Sequence, residues 1–194
     1  VAIEYADLHS ILDAFAHYFH NGQITYEAFV DGVAYGGREY VEHPEAFGVP
    51  ERNVAYVQST RKPVDDIIAF LSEHEEELDS LDIVAADTAL YQKIEEQSPL
   101  VTKSVYTTSA VSYRLEISHK NSGKATGLAY VLKLLDITPE ETVAFGDGDN
   151  DAEMLEFAGL GVAMENATEN CKAAADIVCD CCKNDGVARF LYGF

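Results

Sequence analysis

From residue 119 to the end of the chain, short apolar runs alternate with amphipathic stretches of helical length, and no other feature limits the fold as strongly. KATGLAYVLKLLD reads as a helix with Leu128, Val131, Leu132 and Leu135 inward, and TVAF as a short buried strand. DAEMLEFAG is then a helix stopped by glycine, GLGVAM a strand, ATENCKAAAD a helix, IVC a strand and DGVARFLYGF a last helix. Strands separated by helices cannot pair as hairpins. They imply a parallel sheet with helices packed on its faces.

Residues 1–118 follow a different rhythm. Leu8, Ile11, Leu12, Phe15 and Phe19 recur at helical spacing over 5–20, and Asn21-Gly22 ends that helix. ITYEAFV alternates as a strand, and Asp31-Gly32 joins it to a second extended stretch, a hairpin signal. Residues 36–62 read as irregular. A helix opening at Pro63 is expected to carry Val64, Ile67, Ile68, Leu71 and Leu78. DIVAA reads as a strand, TALYQKIEEQ as a helix, and LVTKSVYTT with SYRLEIS as two paired strands. The sum is an α+β layer, so the chain is expected to hold two domains, 1–118 and 119–194.

The balance of 13 basic against 34 acidic residues gives 13 − 34 = −21, a surface that repels nucleic acid and anionic membranes. No apolar run is long enough to span a bilayer, and the N-terminus lacks the pattern of a signal peptide. Cys171, Cys179, Cys181 and Cys182 form neither a C-x-x-C pair nor a zinc-ligand set with histidine. They read as reduced thiols of a cytoplasmic protein.

Three carboxylates, Asp147, Asp149 and Asp151, crowd the loop after TVAF, with Gly146 and Gly148 between. Ligands of open parallel sheets bind at the carboxyl ends of strands, and oxygen-only ligands suit a hard cation such as Mg²⁺. The same acids could instead cap the helix that follows. An EF-hand is excluded, because its sixth and twelfth positions, counted from Asp147, hold Ala152 and Ala158. Lys124, at the start of the preceding helix, is a cation able to offset both these carboxylates and a bound phosphate.

The joint occurrence of G-D-G-x-N-D-x-x-M-L, G-V-A-M-x-N-A and an upstream lysine, over about residues 116–191, resembles the C-terminal part of haloacid dehalogenase (HAD) superfamily phosphatases. Within them it is most similar to the Cof-type branch with a large α/β (C2B-like) cap. The resemblance implies the C-terminal part of a Rossmann-like parallel-sheet core at 119–194 and a cap at 1–118 that selects substrate. It implies Lys124 as the residue touching phosphate and nucleophile, Asp147 as a Mg²⁺ ligand, and Asn150 as a phosphate contact or loop orienter. Asp151 would hold a metal-bound water or the lysine, and Asp149 would be exposed and dispensable. Arg61, in QSTRKP beside a loop, is a candidate for touching substrate from the cap, and a surface or ion-paired arginine is the favoured alternative.

The family's reaction passes a phosphoryl group to an aspartate and then hydrolyses the aspartyl-phosphate. That aspartate lies in a D-x-D-G-T motif, which residues 1–194 lack. DGVAY at 31–35 is the nearest string. The family's Ser/Thr phosphate motif also has no counterpart. The expectation is therefore an N-terminally truncated Mg²⁺-dependent phosphatase of small phosphorylated metabolites, sugar phosphates among them. The chain alone should be inactive and should self-associate through an exposed core edge. The alternative is a non-catalytic HAD-fold protein that binds or regulates. A Ca²⁺-binding acidic module is a third reading.

Overall fold

The computed structural model describes residues 1–193, and the side chain of Ala110 lies outside the description. The chain divides into two compact units, Val1–Asn121 and Ser122–Phe194. The division falls three residues later than 118/119, because the last strand of the first unit runs to His119 and the Asn121 N–H then donates to His119 Nδ1 at 3.1 Å.

The first unit opens with α1 (Tyr5–His20), which buries Leu8, Ile11 and Phe15 at the spacing its sequence shows. Strands β1 (Ile24–Val30) and β2 (Val33–Gly37) form the expected hairpin. Asp31 at φ 50° and Gly32 at φ 71° supply the two left-handed residues that a tight hairpin turn requires. Residues 36–62 are not irregular. They hold α2 (Arg38–Glu42), a 3₁₀ turn (Pro44–Phe47), α3 (Glu51–Thr60) and the start of β3 (Arg61–Val64), which pairs parallel to β2. Pro63 lies in that edge strand, where a missing N–H is tolerated, and does not open a helix. The helix α4 (Ile67–Glu73) starts later, where the Asp66 carboxylate accepts the N–H groups of Ile68 and Ala69 at 2.9 and 3.0 Å. Leu78 begins β4 (Leu78–Ala85), which is followed by α5 (Thr88–Val101), β5 (Val105–Val111) and β6 (Arg114–His119).

The six strands lie in the order β3-β2-β1-β4-β6-β5, antiparallel except for β2–β3. Ile24, Tyr26, Ala28 and Val30 of β1 join Leu8, Ile11, Phe15, Leu71 and Leu81 in the main core. On the opposite face Tyr40, Val41, Val49 and Val57 pack with Val84 in a smaller core. β1 is thus buried on both sides.

The second unit begins with α6 (Lys124–Leu135) and continues with β7 (Val143–Gly146), α7 (Ala152–Phe157) and β8 (Leu160–Met164). It ends with α8 (Glu169–Ala174), β9 (Ile177–Cys179) and α9 (Gly186–Tyr192). The strands form a parallel sheet, β7-β8-β9, as the alternation of strands and helices implies. Its small core is Ala144, Leu155, Val162, Ala163, Met164, Ala167, Cys171 and Cys179, with the Cys179 thiol 3.5 Å from the Met164 sulfur. All four cysteines are free. α6 departs from expectation: of its four inward candidates only Leu132 is buried, while Val131 and Leu135 are 47% and 60% exposed and Leu128 is half-buried. The helix rests mainly on α7 and the loop before it, and they cover one narrow stripe. β7 is the sheet's edge, with no partner on its outer side among the described residues. No helix among the described residues is long and apolar enough to cross a membrane.

Candidate active site

The acidic loop leaves β7 at the carboxyl end of the parallel sheet, the edge where such sheets bind ligands. It folds back on its strand so closely that a Cβ at Gly146 would lie 2.4 Å from the Asp151 Cβ and 2.9 Å from its Cγ. Glycine is the residue that permits this approach.

Asp151 is buried, yet its carboxylate is well supplied with donors. One oxygen accepts the N–H groups of Asp147 and Gly148 at 2.9 and 3.0 Å, and the other takes the Lys124 ammonium. Burial pushes the Asp151 carboxyl up. Lys124 and the Gly148 and Asp147 amides outweigh that and hold it below the ordinary carboxylate range. Asp151 therefore braces the loop and does not cap α7, to which it offers no side-chain hydrogen bond.

That brace joins two outward-facing groups. Lys124 is the first residue of α6, with its side chain 48% exposed, so only part of its ammonium is taken up by Asp151. Asp147 is exposed, and its carboxylate is approached by the Asn166 amide at 3.5 Å. Asp149 is exposed as expected, but it accepts the Thr168 hydroxyl and so has a structural contact that the sequence reading denied it. Thr168 also caps α8 and donates its N–H to the Asp147 carbonyl at 3.0 Å. Asn150 is half-buried, with its amide oxygen against Gly148.

Asn166 and Thr168 are the two residues of this site that sequence reasoning left without a role. The signal for Asn166 was its place in G-V-A-M-x-N-A. For Thr168 there was none, because its partner lies 19 residues upstream.

Arg61 is not part of this constellation. In the first unit it is buried, and its Nε and Nη2 donate to both oxygens of Glu27 at 2.9 Å each. Its Nε and Nη2 are spent on an internal carboxylate, which is the ion-paired alternative and leaves the substrate-contact candidate without support.

The donor set tests the metal reading. Asp147 offers exposed carboxylate oxygens, no histidine or thiol shares the loop, and Asp151 has about one lone-pair site left after three donors. This fits part of the shell of a hard ion that keeps several waters.

The model for haloacid dehalogenase-like hydrolases matches residues 2–191. The chain belongs to this family. Among curated relatives, the phosphoglycolate phosphatase of Methanopyrus kandleri is 50% identical over 80 residues, which are 41% of this chain and 34% of that one. A 5-amino-6-(5-phospho-D-ribitylamino)uracil phosphatase of Bacillus subtilis is 46% identical over 77 residues, 40% of this chain and 28% of that one. The match thus spans about a third of these relatives' length. Among solved structures, a HAD superfamily phosphatase of Bacteroides thetaiotaomicron aligns with a TM-score of 0.75 and 26% identity, over all of this chain and 65% of that one. A subclass IIB sugar phosphatase aligns with a TM-score of 0.71 over 100% of this chain and 67% of its own. At 19% identity it speaks for the fold alone.

Proposed function

We propose that this chain carries the metal-loop half of a Mg²⁺-dependent phosphatase that hydrolyses small phosphate monoesters, sugar phosphates among them, through an aspartyl-phosphate. One observation carries the reading. Asp151 ties the half-exposed Lys124 ammonium to the backbone of the loop that presents Asp147. A cation and an ion-binding carboxylate held in one rigid unit are what a phosphoryl group needs. Lys124 has free ammonium donors for a phosphate oxygen, and Gly123 places no side-chain cap over the first-turn N–H groups of α6. Asp147 would hold the ion, with Asp151 reaching it through water. Once bound, the ion would neutralise charge on the phosphoryl oxygens. The two curated phosphatases above act, by their names, on small phosphorylated compounds, which supports that substrate class.

Residues 1–194 contain no D-x-D-G-T aspartate, and the proposed hydrolysis requires one to be supplied to this loop. The purified chain is expected to release no phosphate from p-nitrophenyl phosphate with Mg²⁺, and calorimetry should find Mg²⁺ binding weaker than micromolar. A chimera that adds a relative's D-x-D-G-T segment should turn over and should lose activity on Lys124→Ala or Asp147→Asn. Turnover by the chain alone, or a folded chimera indifferent to both substitutions, overturns the reading. The same missing aspartate favours a second reading, a HAD-fold protein that binds phosphate compounds without hydrolysis. A chimera that binds phosphate and never turns over would select it.

A further inference from the structure

The first unit contains a charge cluster that the phosphatase reading does not use. Antiparallel register places Glu27 of β1 opposite Asp82 of β4, and Asp82 opposite Glu116 of β6, so three carboxyl groups stand in a row on one sheet face. Like charges directly opposite one another repel. Two guanidinium groups answer them. Arg61 binds Glu27 through both oxygens, and Arg114 lies 3.0 Å from Glu116, 3.5 Å from Glu27 and 3.3 Å from Asp82. If all five were charged, the cluster would carry one excess negative charge where Glu27 is 0% and Asp82 3% exposed.

The three carboxyls are not equally supported. Glu27 accepts from Arg61 twice and from the Tyr40 hydroxyl, and Glu116 keeps some contact with solvent beside its arginine. Among the described residues the one cation within ion-pair distance of Asp82 is Arg114, whose Nε is buried and left without a hydrogen bond despite the 3.3 Å approach. Burial pushes the Asp82 carboxyl well up; Glu27 and Glu116 push the same way, and Arg114 and Arg61 oppose them. The charge count asks for one proton, and the weaker hydrogen-bond support of Asp82 marks it as the carboxyl to hold it.

We propose that Asp82 is stored as the neutral acid at neutral pH, which balances the cluster at two negative and two positive charges, and that release of this proton to solvent in alkaline solution pulls Arg114 from Glu27. Glu27 clasps Tyr40 of α2 and Arg61 of β3, so the device controls how firmly the segment 38–64 is held to the sheet. An acid whose folded value is raised costs stability as pH climbs. Between the ordinary carboxylate value, about 3.9, and the folded midpoint, the folded-to-unfolded ratio falls about tenfold per pH unit.

The test uses the full chain with ¹³Cγ-labelled aspartate, following the Asp82 carboxyl by NMR from pH 5 to 10, with hydrogen exchange of residues 24–64 corrected for intrinsic rate. The Asp82 carboxyl should stay protonated well above the ordinary carboxylate range, and Glu116→Gln should move its midpoint down by removing a like charge. Opening of the sheet in the parent chain should rise, relative to Asp82→Asn, by up to tenfold per pH unit through neutrality. An Asp82 resonance already ionised at pH 6 overturns the proposal. So does a folded Asp82→Asn chain whose protection follows pH as the parent's does. Should that variant not fold, the carboxyl titration of the parent still decides.

Discussion

Asp151→Asn tests the brace at the centre of the candidate site. The parent carboxylate accepts three hydrogen bonds, two from loop amides at 2.9 and 3.0 Å and one from Lys124. Asparagine can keep its oxygen on the two amides, but its NH₂ then faces the ammonium, donor against donor. The loss is one charge-assisted hydrogen bond, about 1.5–3 kcal/mol when buried. Lys124 is 48% exposed and can turn to water, so screening brings the expected cost to about 1 kcal/mol. The assay is native-state hydrogen exchange of the amides at 147 and 148, which should open roughly fivefold more often at pH 7, since 1.4 kcal/mol is about tenfold. The pH dependence fixes the sign. The Asp151 carboxyl is depressed in the folded state, so its contribution is whole above about pH 3.9 and vanishes as pH falls through the lower folded value. Parent and variant should therefore converge in acid. Equal opening at pH 7, or a gap that does not shrink as pH falls below about 3.9, would refute the reasoning.

Gly146→Ala would drive a methyl into the Asp151 side chain and should destabilise the second unit by about 1–3 kcal/mol, read as faster exchange in β7 and β8. Glu27→Gln would strip the fully buried partner from Arg61 and should cost the first unit about 3–5 kcal/mol, measured by urea unfolding; a loss below 1 kcal/mol would mean that Arg61 is satisfied without it. The exposed Tyr130, Val131, Leu134 and Leu135 of α6, together with the β7 edge that has no outer partner among the described residues, should make the chain associate at micromolar concentration. Sedimentation equilibrium should show this, with Leu134→Glu weakening it; a monomer at every concentration would end that expectation.

Much of the architecture was legible because local pattern and tertiary role agree. α1 and the β1–β2 hairpin carry their period and turn residues openly, and the second unit's strands are separated by helices, which leaves parallel pairing as the arrangement. Residues 36–62 were not legible, because α2 and α3 are short, sit among Gly37, Pro44, Gly48 and Pro50, and are held by tertiary contact with Val84. The partner of Arg61 was not legible for a related reason: Glu27 is 34 residues upstream, in another strand. α6 shows the converse failure, since an amphipathic stripe tells which side is apolar and not whether anything covers it. In the site, the loop, its glycines and Lys124 could be singled out from motif and position. The division of labour among the three aspartates depended on which carboxylate the fold turned inward.

The small core of the second unit has a chemical vulnerability that the larger one lacks. Three of its eight buried residues, Met164, Cys171 and Cys179, are sulfur-bearing, and two of those sulfurs touch. Sulfur packs well while reduced, but a sulfoxide at Met164 would put a polar, chiral oxygen into a hydrophobic cluster beside the Cys179 thiol. Ageing in air would thus erode this unit from within, directly beneath the loop that presents Asp147, while the aliphatic and aromatic core of the other unit went untouched.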